Sequence, residues 1–190
     1  RTPLAIIDCG LQALYDYTPS IPEKTGRILV KNCTAIDSIH IESASCSALM
    51  EVINCETGGG LWVGSVSSTG KTRLSGNQVG GALTVSTVVK GDTVFITDNI
   101  IEEKFKVTSS ASGPGYFSGN MIGTGAFISS VAYEGFVFRD NEILSGNLIG
   151  SFKALGSSEV SFNTFGNGGI DITSKTTSLV ISSNSIEQDG

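Results

Sequence analysis

Seven residues of this chain could do chemistry together if the strands that carry them stack. Asp16, His40, Trp62, Thr84, Lys106 and Phe127 recur at intervals of 24, 22, 22, 22 and 21 residues, and Glu42 follows His40 by two. The chain has one histidine and one tryptophan, and they are neighbours in this row. An imidazole with two carboxylates nearby is a constellation for general acid or base work. An aromatic ring beside acid and amide groups suits a saccharide, whose apolar face stacks while its hydroxyls need partners. Asp16, His40 and Glu42 are therefore the candidate catalytic residues. Trp62, Thr84, Lys106 and Phe127 are the candidate substrate-binding residues, with Thr18, Ser86 and Thr108 alongside. The competing reading is a solvated sheet face that carries one chance aromatic.

Other constellations are weaker. Asp98 and Asp140 occupy equivalent places two repeats apart, which predicts a separation of roughly 10 Å from strand spacing. Inverting glycosidases hold their two carboxyls about 6.5–9.5 Å apart. Both aspartates, however, stand where a bend favours Asp for backbone reasons. Glu102 and Glu103 read as solvated turn charges. Gly64 to Thr72 ends in Gly70-Lys71-Thr72 like a phosphate loop, but the spacing is one residue too long and no helix follows. Asn32-Cys33-Thr34 is a formal glycosylation sequon placed at a bend. Cys9, Cys33, Cys46 and Cys55 include no CxxC pair, so neither a zinc site nor any other metal or cofactor is expected.

These side chains need elements to hold them, and a repeat supplies them. One column reads Cys9, Cys33, Cys55, Asn77, Asn99, Asn120, Asn141, Asn163 and Asn184, at steps of 21 to 24 residues. Three residues before each member stands an apolar residue, from Ile6 through Phe138 to Ile181. Two residues after it the position is nearly always apolar, as in Ile101, Ile122 and Ile143. Immediately before it, seven of nine residues are Gly, Asn or Asp, which tolerate a left-handed backbone. Each repeat is thus a strand, a sharp bend and an inward column residue. A second strand follows with period-two alternation, six and eight places after the column: Tyr15/Tyr17, Ile39/Ile41, Leu61/Val63, Leu83/Val85, Phe105/Val107 and Ala126/Ile128. In the last repeats Leu148 and Ile170/Ile172 slip by one.

Short strands turning once per ~22 residues predict a parallel β-helix of about eight to nine coils, as one domain over residues 1–190. The column would become a ladder of side-chain amides, continued by buried free thiols at Cys9, Cys33 and Cys55. Four places before the column, Leu29, Phe95, Tyr116, Val137 and Val180 stand beside Glu51, Arg73 and Glu159. This row should face outward, as a partner surface or one covered by loops. Glu51 and Arg73 fall on adjacent coils and could pair.

The chain has 190 residues, a net charge of −6 and only 16% charged residues. A nucleic-acid partner would need a basic face that is missing. No 18-residue apolar run suggests a membrane span. The chain opens inside a strand-like pattern without a visible signal peptide, so it is expected to be part of a longer one with both ends of the coil stack open.

The grammar apolar-x-[Asp/Gly]-Asn-x-Ile, as in Phe138 to Ile143, and the asparagine column resemble the right-handed parallel β-helix superfamily. That superfamily holds pectate-lyase-like enzymes, polygalacturonases and phage tailspikes. The resemblance covers nearly the whole chain and speaks to fold rather than activity. The catalytic signatures of polygalacturonases (Asn-Thr-Asp, Asp-Asp, Gly-His-Gly, Arg-Ile-Lys) are not present, nor is a lyase-type cluster of calcium-binding aspartates. The relative it is most similar to is a phage tailspike or tail fibre. That resemblance implies a homotrimer in the virion tail that binds, and cleaves, a bacterial surface polysaccharide. The alternatives are a non-catalytic shaft or adhesin stalk, and a secreted pectin-type lyase or hydrolase.

Overall fold

A computed structural model describes residues 4–7, 10–11, 14–18, 25–43, 45–68, 70–89, 93–111, 113–132 and 134–187. Their regular structure is all strand, and every strand pairing is parallel. Each coil contributes three strands. The first ends at the bend, as in Phe136–Arg139. The second is a two-residue strand just after the column, as in Glu142–Ile143. The third is the longer Leu148–Ala154. Coil stacks on coil, so like strands form three sheets. The middle sheet holds nine strands, and the first and third together hold 17. Ser45–Cys46 pair with Ser67–Ser68 and join those two.

Parallel strands repeated about 22 residues apart put like residues over like, and the core follows from that. Val52, Leu74, Ile96, Phe117, Phe138 and Val160 line up along the first sheet. Val79, Ile101, Ile122, Ile143 and Phe165 line up along the middle one. Leu61, Leu83, Phe105, Ala126 and Leu148 line up along the third. All are buried. No helix among the described residues is long and apolar enough to cross a membrane.

The bend recurs as expected. Asn32, Asn54, Gly76, Asp98, Gly119, Asp140, Phe162 and Ser183 all have φ between +52° and +67°. Six of these eight are not glycine, and Phe162 is bulky as well as exposed. The stack demands this conformation at the place before the column, whichever residue sits there. Asp98 and Asp140 are thus bend residues, and Asp140 also accepts a 2.7 Å bond from Nε of Arg139.

Turning the chain inward at each bend creates the amide ladder. The Nδ2 of Asn77 donates to Oδ1 of Asn99 at 2.9 Å, and the same bond recurs from Asn99 to Asn120, Asn141, Asn163 and Asn184 at 2.8–3.0 Å. Each Oδ1 also accepts the backbone N–H of the preceding column residue, and each Nδ2 also reaches a first-sheet carbonyl. Buried amides need this many partners to be tolerated. Cys33 and Cys55 continue the column as buried thiols, donating to the carbonyls of Lys31 and Ile53. Burial pushes the Cys55 thiol up to about 11. The side chains of Cys9 and Cys46 lie outside the described residues.

Two expectations change. The count of eight to nine coils is slightly high for the closed core. Every column residue is buried over the six turns from Cys33 to Asn163, whereas Asn184 is half-buried and Ile181 and Ile186 are about half exposed. Second, Leu14 and Asp16, not Tyr15 and Tyr17, pair with the buried Ile39 and Ile41. Leu14 lies five residues after Cys9, whereas Ile39 lies six after Cys33, and one residue reverses the pleat. The slip by one at Leu148 is as read, and a longer turn causes it. Leu148 pairs with Ala126 and Ile170 with Leu148, while Gly146 turns at φ +81°.

Candidate functional site

The outer face of the third sheet carries the row read from the sequence. Pairing runs His40 to Trp62, Trp62 to Thr84, Thr84 to Lys106 and Lys106 to Phe127. It then continues to Ile149 and Asp171. The inward neighbours of these residues, Leu61, Val63, Leu83, Val85, Phe105 and Val107, are fully buried. Alternation therefore sends the row outward. Lys106 and Phe127 are exposed, whereas His40, Trp62 and Thr84 are half-buried.

Trp62 lies down on the sheet. A Cβ built on Gly64 would meet Cη2 of the indole at 2.2 Å and Cζ2 at 2.4 Å. The ring therefore occupies the space that any side chain at that position would take. The His40 ring packs against it from the neighbouring coil, with centroids 3.8 Å apart and planes tilted by 49°. The Nε2 atom of His40 is buried in this arrangement. The pair is an aromatic shelf on the solenoid surface rather than an imidazole held free in solvent.

Two coils along, the row enters a groove of about 560 Å³. Thr84, Lys104, Lys106, Thr124, Phe127 and Asn147 are among its walls, and among the described residues no carboxylate lines it. Lys104 and Thr124 come from the turns before their strands, and Asn147 from the lengthened turn before Leu148. Sequence reasoning found Thr84, Lys106 and Phe127 but missed the other three. Their signal was faint: each lies in a turn one or two residues outside the alternating pattern. Gly64 was legible only as a residue two places after the sole tryptophan.

The register of the expected catalytic row changes at one residue. Tyr15, not Asp16, is in register with His40, so the short first turn takes Asp16 out of the row. Glu42 is two residues along the strand from His40 and pairs with Gly64. The side chains of Asp16 and Glu42 lie outside the described residues. Among the described residues no three His, Cys, Asp or Glu side chains come together as a metal site.

The first sheet's outer row also follows the expected register, from Leu29 through Glu51, Arg73, Phe95, Tyr116, Val137 and Glu159 to Val180. It is less exposed than expected. Leu29, Phe95, Tyr116 and Val137 are half-buried and Glu51 is buried. Phe95 and Tyr116 stack at 5.3 Å, nearly parallel, which hides the facing sides of both rings. No family model, curated protein or solved structure matches this chain at a significant level.

Proposed function

We propose that this chain is a polysaccharide-binding β-helix of the phage tailspike or tail-fibre kind. Its binding face is the row from Trp62 to Phe127. The observation that carries the reading is the seating of Trp62 flat over Gly64, with Phe127 exposed three coils away in the same row. At the usual strand spacing of ~4.8 Å, three coils separate the two rings by roughly 14 Å. A sugar chain laid along the solenoid axis would meet a ring, a hydroxyl, an ammonium and a second ring in turn. Apolar sugar faces stack on the rings, and the polar residues between them meet the hydroxyls.

Cleavage would be a further step. It would need His40 to turn away from the indole and Glu42 to supply a carboxylate, and binding does not depend on it. In this reading the protein would act in a virion tail, as a homotrimer whose copies pack along the Leu29–Val180 flank, or else as a secreted protein.

A second reading is favoured by the amide ladder from Asn77 to Asn184 and by the parallel stacking of every coil along it. Such a stack makes a stiff shaft with no ligand at all. A pectin-type lyase or hydrolase is a third reading. Incubation with capsular polysaccharides and lipopolysaccharides from candidate hosts separates them. Retention of a polysaccharide supports the proposed reading, and new reducing ends or unsaturated-uronate absorbance would add cleavage. Failure to retain any of them supports the shaft. Cleavage that survives His40→Ala and Glu42→Ala would place the chemistry elsewhere.

A further inference from the structure

The charge of the groove says which sugars it takes. The chain as a whole is acidic, with 18 Asp and Glu against 12 Lys and Arg. Yet among the described residues the groove beside Phe127 is walled by two lysines and no carboxylate. Lys104 and Lys106 are both exposed and lie two residues apart, one at the turn and one on the strand. The nearest acids along the chain are the exposed Glu102 and Glu103, on the turn that leads to Lys104, and neither lines the groove. Asp171 lies two coils beyond Phe127 in the row and is also outside it.

From this we infer that the groove binds an anionic glycan, a chain whose sugars carry carboxylate or sulfate groups. This inference rests on the saccharide reading above and adds the ligand's charge. Phe127, 39% exposed, offers its ring to the apolar face of one sugar. Lys106 sits one coil from Phe127, a step of ~4.8 Å, within reach of an acid group on that sugar or its neighbour. The hydroxyls of Thr84 and Thr124 and the Asn147 amide are left to bind sugar hydroxyls. A bare ammonium in a groove without counter-charge favours an anion and raises its rate of encounter, and salt weakens both effects.

The test uses the whole chain, three matched pairs of probes and one control anion. These are hyaluronan and alginate, each beside its carboxyl-reduced neutral form, dextran sulfate beside dextran, and polyglutamate as an anion without sugar. Exposed ion pairs are individually weak, so an acidic polymer that meets both lysines should bind roughly tenfold tighter than its neutral partner at low salt. The preference should shrink toward unity in the Lys104→Gln/Lys106→Gln double variant and in high salt. The carboxylate and sulfate arms identify which acid group the lysines meet. Equal binding of acidic and neutral partners overturns the inference and leaves the saccharide reading standing. Polyglutamate binding as tight as the acidic sugars also overturns it, because charge alone would then suffice. Binding to none of the sugars overturns both. Circular dichroism of the double variant shows that its coils are intact.

Discussion

Replacing Asn120 by alanine should be among the most damaging single changes to this protein. Asn120 is 1% exposed. Its Nδ2 donates to the Ile96 carbonyl and to Oδ1 of Asn141, both at 2.9 Å. Its Oδ1 accepts from the backbone N–H of Asn99 at 3.1 Å and from Nδ2 of Asn99 at 2.9 Å. Some partners keep other bonds. Nδ2 of Asn99 still reaches the carbonyls of Leu74 and Thr97, and Oδ1 of Asn141 still accepts the N–H of residue 120. The Asn99 N–H loses its side-chain acceptor in the core. A buried donor left without a partner costs ~1–3 kcal/mol, and each of the other three bonds is worth roughly 0.5–1 kcal/mol. The sum is about 2.5–6 kcal/mol, a large share of a domain's ~5–15 kcal/mol. Asn184→Ala is the control. Asn184 is half-buried at the last rung, where water can replace the lost partner, so its truncation should cost ~1 kcal/mol. Urea unfolding followed by circular dichroism measures both. Equal costs at the two positions, or less than ~1 kcal/mol at Asn120, would refute the claim that the ladder holds the coils together.

Three further changes probe other parts of the account. Gly64→Ala places a methyl where the indole lies. It should tip Trp62 off the sheet, increase acrylamide quenching of the sole tryptophan and weaken glycan binding as much as Trp62→Ala does, while stability changes by only ~1 kcal/mol because a side-chain end can move aside. Phe162→Asn should stabilise the fold by ~0.5–1 kcal/mol in urea titrations. Phe162 pays for a left-handed backbone at φ +56° and is 55% exposed, so little burial is lost and Asn fits that conformation better. For Cys55, burial raises the thiol from 9.0 to about 11. The folded state therefore holds the proton more tightly than the unfolded one, and that stability is fully present below pH ~9 and lost as pH rises to ~11. At ~1.4 kcal/mol per pH unit the loss reaches ~3 kcal/mol, and Cys55→Ala should flatten the alkaline limb of the stability curve.

Much of the architecture was readable from the chain. The asparagine column, the apolar residues around it and the bend before it each repeat often enough that the stack is over-determined. Even Phe162 and Ser183, which look wrong for a left-handed bend, adopt it because their coils must match the neighbours. Register failed only where a turn changed length. One residue fewer after Cys9 moved Asp16 out of the row of His40, and one more before Leu148 brought Asn147 to the groove. Strand alternation has a period of two, so a single residue in a turn decides which face a side chain meets. Sites here are assembled across coils, and their turn-borne members, Lys104, Thr124 and Asn147, carry no period that a sequence could display.

A sugar chain bound on the proposed face would lie across Trp62, the only tryptophan in the chain. Its fluorescence therefore reports that position alone. Titration with an acidic polysaccharide that the protein retains should change the emission of Trp62 saturably and shield it from acrylamide, and Phe127→Ala should weaken the same curve. Tight binding that leaves both the emission and the quenching of Trp62 unchanged would contradict the account and move the site off this face.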